Sequence, residues 1–379
     1  MNHIEIIGLG QTRCAEKWNV GLLDLAIKAA AQALAEAKDV TPCALIAANA
    51  LSGALFDQRN LGTFIADRLG LHGIETHTVA TDEASGGSAI RLASALIQAG
   101  RCEAVLVVGA EKTSDALPDQ LEAVRATGLD ALQEAEFGFS PTIAAALGMQ
   151  QYLQTHDLDK GLFYHLSEIA HRNGAHNPKA IFPWVLKQEQ YAKSPMAAAP
   201  LSVCDNAPSC DGGAAVLLRR SKPQSTHVRL LASAAVSGPT GIAAPITSLA
   251  LPAAQASVAR ALDEAGLALD ALSLFELHDA NAFFAALSIE AAGLAPRGEA
   301  LTRAAAGHFY TDAAHPLWTM GGHKSRGIAP GAAGVYQLVE AALQLRQQAG
   351  PCQVPNAKTA LVQCLGSFGA LAVTHIIGV

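Results

Sequence analysis

Two helical segments in this chain, one opening at Ala84-Ser85-Gly86-Gly87 and one at Ala329-Pro330-Gly331-Ala332, are built almost wholly of apolar or small residues. A helix at a protein surface keeps one polar face, so a helix apolar all round belongs between two other layers. The surrounding sequence shows the same order twice. Ala33-Leu34-Ala35-Glu36-Ala37 closes one alanine-rich helix, and Ala261-Leu262-Asp263-Glu264-Ala265 closes another 228 positions later. The strands that follow, ALIAANA (44–50) and LSLFELH (272–278), keep that offset, and the small-residue helix starts then fall 246 apart, leaving about 18 extra residues in the second half. A duplicated βαβα unit accounts for this order.

Further strands read as HIEIIGL (3–9), ETHTVAT (75–81), EAVLVVGA (103–110), VRLLASAAV (228–236), TALVQCL (359–365) and ALAVTHIIG (370–378). Their alternation with helices predicts mixed sheets covered on both faces. With the two apolar helices in the middle, the expectation is an α/β fold, a five-layer α-β-α-β-α sandwich from two halves. The boundaries read as a first half over 1–114, an inserted loop domain over 115–200 and the last strand of the first half with a linker over 201–225. The second half covers 226–379.

Net charge of −7 and the absence of a basic stripe with interleaved aromatics exclude a nucleic-acid partner. No run reaches the ~20 apolar residues of a membrane span, and MNHIEIIGLG enters a strand without the regions of a signal peptide. Seven scattered cysteines with no CxxC pair read as reduced core thiols of a cytoplasmic protein, with neither a disulfide frame nor a zinc site.

Within VATDEASGGSAIRLASALIQAG (79–100), Glu83 stands at a strand-to-helix turn, where helix N–H groups and the macrodipole favour negative charge. With Asp82 it is either a helix cap or a buried carboxylate that needs a partner. In the second role it acts as a general base or polarising group, with a raised pKa.

The same segment resembles the nucleophile segment of thiolases, where a cysteine precedes A-S-G-G. HRNGAHNPKAIF (171–182) with SPMAAAPLSVCDNAPSCDGGAAVLL (194–218), FELHDANAFFAALSIEAAGL (275–294), GGHKSRGIAPGAAG (321–334) and QCLGSFGALAVTHI (363–376) resemble further segments of sterol-carrier-type and archaeal thiolases. The resemblance spans nearly the whole chain and implies the thiolase fold, a homodimer joined near ETHTVAT (75–81), and a coenzyme A thioester as substrate with no bound cofactor. It also implies a possible small zinc-ribbon partner protein.

Two positions depart from the family. Glu83 stands where the acyl-carrying cysteine does. Aligning the glycines of 321–334 puts Ile328 on the histidine that activates it in the G-H-P motif. What remains is His278, aligned with the residue that positions an oxyanion-hole water, and Cys364, which fits the C-x-G acid/base element. His323 has no family counterpart. Glu83, His278, Cys364 and His323 are therefore the candidate catalytic residues, with Asn281, Gly366, Arg172 and Lys187 as substrate-binding candidates and no metal ligands. Two readings stay open. One is an enzyme that breaks or forms a C–C bond through an enolate, by retro-aldol cleavage or decarboxylation. The other is a non-catalytic subunit of a heteromeric complex. A catalytic site keeps polar groups converging on Glu83; a scaffold has Glu83 neutralised by a structural lysine or arginine.

Overall fold

A computed structural model describes residues 4–379. Its strands are Ile4–Gln11 (β1), Ala44–Ala48 (β2), Glu75–Val79 (β3), Ala104–Glu111 (β4), Met196–Ala198 (β5), Leu201–Ser202 (β6), Gly212–Arg220 (β7), Arg229–Ser237 (β8), Leu274–Glu276 (β9), Thr359–Gly366 (β10) and Leu371–Gly378 (β11). Strands β5 and β6 pair by themselves, and the other nine form a mixed sheet in the order β3-β2-β4-β7-β1-β8-β11-β10-β9.

The duplication is visible in that order. The run β2-β4-β7-β1 is matched by β9-β10-β11-β8, and in each run the first pair is parallel and the other two antiparallel. Among the described residues the two runs join over a short seam, where Ile4 and Glu5 of β1 meet Leu230 and Arg229 of β8 and Ile6 N–H donates to the Val228 carbonyl at 2.8 Å. So short a seam lets the half-sheets diverge. The helices Ser85–Gln98 and Ala333–Leu345 fill the space between them, each packing on strands of both halves. Helix Leu22–Glu36 covers the outer face of the first half and Pro252–Ala265 that of the second, which completes the five layers.

The two central helices are not equivalent. All of Ala333–Leu345 except Leu343 is buried, including the polar Gln337, Glu340 and Gln344. Ser85–Gln98 instead carries a less buried stripe through Arg91, Ala95 and Gln98, whose spacing is that of one helix face. The helices approach closely at Gly87 and Gly334. A Cβ at Gly334 would lie 2.6 Å from both Cys364 Sγ and the backbone N of Gly87. Gly334→Ala should therefore destabilise the fold by about 1–3 kcal/mol, read as a lower urea midpoint; an unchanged midpoint would show that this contact relaxes freely.

Two expectations need correction. Strand β9 is three residues long, not seven, because the chain leaves the sheet at Leu277 and tethers Asp279 to the segment at 323–324 through backbone hydrogen bonds. Cys43 and Cys102 form a disulfide, with Cα atoms 5.7 Å apart, rather than standing as reduced thiols. They lie just before β2 and β4, and those neighbouring strands bring them together. Among the described residues no helix is long and apolar enough to cross a membrane.

Candidate active site

The site forms where two irregular turns meet at the ends of the half-sheets. The first runs from β3 into the helix Ser85–Gln98 and holds Asp82 in the left-handed region, at φ 54°. The second follows β10 and holds Ser367 and Phe368 there as well, at φ 48° and 56°. Such a backbone is uncommon for a bulky residue and persists only where its surroundings enforce it. One hydrogen bond ties the turns together: Ser367 N–H donates to Asp82 Oδ2 at 2.9 Å.

Between them lies a cavity of about 30 Å³, room for about two waters. Asp82, Glu83, Arg125, His278, Asn281 and Phe368 are among its lining residues, and none of that lining is cysteine. Two larger chambers share part of its lining. One of about 270 Å³, walled by Pro239, Pro245, Leu251 and Pro252, is mostly apolar and shares Phe368 and Gly369 with the cavity. The other, of about 380 Å³, is more polar and shares Asp82, Arg125, Gly128 and Leu129.

Glu83 does not cap the helix; the N-cap is Ala84 and no side chain caps there. Its two oxygens are spoken for elsewhere. Arg125 Nη2, from the end of helix Pro118–Arg125, donates to Oε1 at 3.1 Å, and His278 Nε2 lies 3.2 Å from Oε2. Burial alone would raise the Glu83 pKa, but the His278 hydrogen bond and the Arg125 charge outweigh it and bring it down to about 2. The expectation of a raised value is thus corrected. A depressed folded pKa adds stability above the ordinary carboxylate range and loses it as pH falls toward about 2.

Asp82 moves the opposite way. Burial first, then the adjacent Glu83 charge, push it up to about 6 against the lowering hydrogen bond from Ser367. A raised carboxyl pKa costs stability at every pH above its ordinary range. Asp82→Asn, which can keep the Ser367 bond, should therefore melt higher than wild type at pH 7 and lose that advantage near pH 3; equal melting at both pH values would contradict this electrostatic account.

An ionised Glu83 requires His278 to carry its proton on Nε2. That leaves Nδ1 with a lone pair, and this buried atom has no hydrogen-bond partner. Behind it stands His323, ring centroids 5.2 Å apart, with its Nδ1 2.7 Å from Asp279 Oδ1 and its own buried Nε2 unpartnered. Phe284 packs edge-on to both His278 and Phe368. Asn281 reaches the cavity while capping helix Ala282–Ala291, its Oδ1 accepting from Phe284 N–H at 2.9 Å.

The other candidates fall outside this lining. Cys364 is fully buried in the gap left by Gly87 and Gly334, and that burial pushes its thiol up to about 12. Gly366 supports the cavity from behind: a Cβ there would strike the Thr81 carbonyl at 2.5 Å. Arg172 is exposed and stacks on Tyr310, and Lys187 is exposed before the short helix Gln188–Ala192. Arg172 belongs to helix Tyr164–Gly174, and neither basic residue lines the cavity. Ile328 packs with Ala207, Ala280 and Ala333 in a small apolar cluster. Arg125 was not foreseen, since no local pattern links it to Glu83. No group of three or more potential metal ligands occurs among the described residues.

Residues 6–151 match the family model described as the thiolase N-terminal domain, and residues 241–379 the one described as the thiolase C-terminal domain-like family. The chain is 30% identical to an acetyl-CoA acetyltransferase of Methanothermobacter thermautotrophicus, with 99% of each sequence covered. It is 27% identical to sterol carrier protein 2 of Homo sapiens over 99% of this chain and 72% of that protein. Among solved structures, a chain of the Ltp2-ChsH2(DUF35) aldolase superposes with a TM-score of 0.83 at 19% identity, covering 99% of this chain and 97% of that one.

Proposed function

The chain belongs to the thiolase superfamily, and from that premise we propose that it acts on coenzyme A thioesters by making or breaking a C–C bond through an enolate, without an acyl-cysteine intermediate. The observation that carries this reading is the convergence of Glu83, Arg125 and His278 on a cavity whose lining includes no cysteine. A carboxylate with a pKa near 2 is a weak base, so Glu83 serves as a fixed charge. It orients His278 through Nε2. His278 then moves the proton at C2, the carbon beside the thioester carbonyl. The apolar chamber behind Phe368 suits one arm of the thioester. The sharing of fold with a protein described as an aldolase is consistent with cleavage of a 3-hydroxyacyl thioester.

The Arg125–Glu83 pair is the observation that favours the second reading, a non-catalytic subunit. It neutralises the carboxylate, and the structural neighbour's description joins an aldolase chain to a DUF35 component. In either reading we place a second copy of the chain along edge strand β3, where Glu75, His77 and Thr78 are exposed, and the 115–200 segment over the site.

Turnover of a panel of acyl-, 3-keto- and 3-hydroxyacyl-coenzyme A esters separates the readings. The enzyme should release a carbonyl compound and a shortened acyl thioester from a 3-hydroxyacyl ester without consuming free coenzyme A. Cleavage that depends on free coenzyme A would restore ordinary thiolysis. No turnover with any ester would favour the subunit.

A further inference from the structure

Asp82 occupies a distinctive place among the groups of the site. It lines both the cavity and the 380 Å³ chamber, so it is common to the walls of the two. Ser367 N–H engages Oδ2, and among the described residues no hydrogen bond reaches Oδ1. A Cβ at Gly128 would lie 3.2 Å from the Asp82 carboxyl, so the Gly128 backbone packs close beside it. The backbone of Asp82 is held in the left-handed region, an arrangement that costs stability and clusters at functional sites. His278 lines the same cavity, is 2% exposed, and its buried Nδ1 makes no hydrogen bond among the described residues.

We propose that Asp82 is a second catalytic residue, which exchanges a proton with the oxygen on C3 of a 3-hydroxyacyl thioester, and that the chamber lined by Ala50, Leu51, Thr127 and Ser367 receives the carbonyl fragment. This rests on the enolate reading given above. In the cleavage direction the Asp82 carboxylate accepts the hydroxyl proton, the O–H electron pair forms the new C3 carbonyl, and the C2–C3 bond breaks. Its electron pair passes to C2 and into the thioester enolate. The proton taken up by Asp82 passes to the lone pair on His278 Nδ1, and the imidazolium so formed delivers it to C2. Both side chains thereby return to their starting states. No oxidant, reductant or co-substrate is required.

The two adjacent carboxylates thereby divide their work. Glu83, clamped by Arg125 and His278, stays charged; Asp82, without a cation of its own, is the one whose proton can move. Environments that drive two neighbouring pKa values apart are the usual basis of such a division. The groups facing Asp82 are Glu83 beside it, Arg125 from helix Pro118–Arg125, His278 from the segment after β9 and the Ser367 N–H. Its value near 6 sets the sign. Cleavage needs the carboxylate, so it should fall as pH drops through about 6. The pairing also selects the substrate: a free carboxylate on C3 would meet Asp82 and Glu83 together, which favours retro-aldol cleavage over decarboxylation.

Wild type and Asp82→Asn, each verified as folded by thermal melting, are compared in two assays. One follows cleavage of a 3-hydroxyacyl-coenzyme A ester; the other follows deuterium uptake from D2O at C2 of the shortened acyl-coenzyme A, which reports enolate formation alone. Asp82→Asn should cleave about 10²–10⁴-fold more slowly, lose the acid limb near pH 6, and still exchange deuterium within a few-fold of wild type. Unchanged cleavage, or equal losses in both assays, would overturn the assignment of Asp82. Absence of exchange in the wild type would instead overturn the enolate reading, and the role of Asp82 with it.

Discussion

Replacing Glu83 with alanine should lower kcat/KM for C–C cleavage about 10³-fold while leaving the protein folded. The figure lies between the cost of one lost transition-state hydrogen bond and that of a histidine's orienting carboxylate. Glu83 holds His278 through Nε2 and balances Arg125, so its removal frees the imidazole to rotate and leaves a cation facing the cavity. Glu83→Gln should be milder. The amide oxygen can still accept from His278 or from Arg125, but the negative charge that balances Arg125 is gone. Steady-state kinetics with circular dichroism on both variants checks this. Wild-type kcat/KM in folded Glu83→Ala would remove Glu83 from the reaction.

The largest expected effect on stability lies elsewhere. Arg326→Met should destabilise the fold by about 3–5 kcal/mol, the cost of leaving one partner of a buried ion pair alone. Arg326 is fully buried, donates from Nη1 to Glu340 Oε2 at 3.0 Å and lies over the Tyr336 ring at 4.9 Å. Burial opposes its charge, but the Glu340 carboxylate outweighs that and raises its pKa; a guanidinium stays protonated in proteins in any case. Without it, Glu340 and the nearby buried Glu276 lose their cation. The double variant Arg326→Met with Glu340→Leu should recover most of the loss, because it removes both charges. Guanidinium unfolding of the three proteins decides the matter. A single variant as stable as wild type would show that Glu340 is neutral in the native protein.

The contrast between these residues shows what a sequence makes legible. The run after Gly331, mostly small or apolar, placed a helix between layers because it offers no continuous polar face, and Ala333–Leu345 is buried accordingly. Glu83 was legible for a related reason: a carboxylate at a strand-to-helix turn needs a partner. Which partner it takes is a property of the fold, since Arg125 lies 42 positions away. Cys364 misled for a physical reason as well. A cysteine ahead of a glycine turn reads as a reactive thiol, yet its sulfur fills the notch made by Gly87 and Gly334, two glycines from different helices. Arg172 and Lys187 are exposed away from the cavity lining, and an exposed basic residue carries the same signal whether it meets a phosphate or water. Asp82 read as a capping residue. Its position between two cavities follows from the turn at Ser367–Gly369, whose left-handed backbone no residue pattern announces.

The most direct test of the central reading is the intact mass of the protein, quenched during turnover of a 3-hydroxyacyl-coenzyme A ester. The account predicts accumulating carbonyl product while the protein mass stays that of the unmodified chain. A population heavier by the mass of the acyl group, mapped to a cysteine, would contradict it and return the reaction to covalent thiolase chemistry.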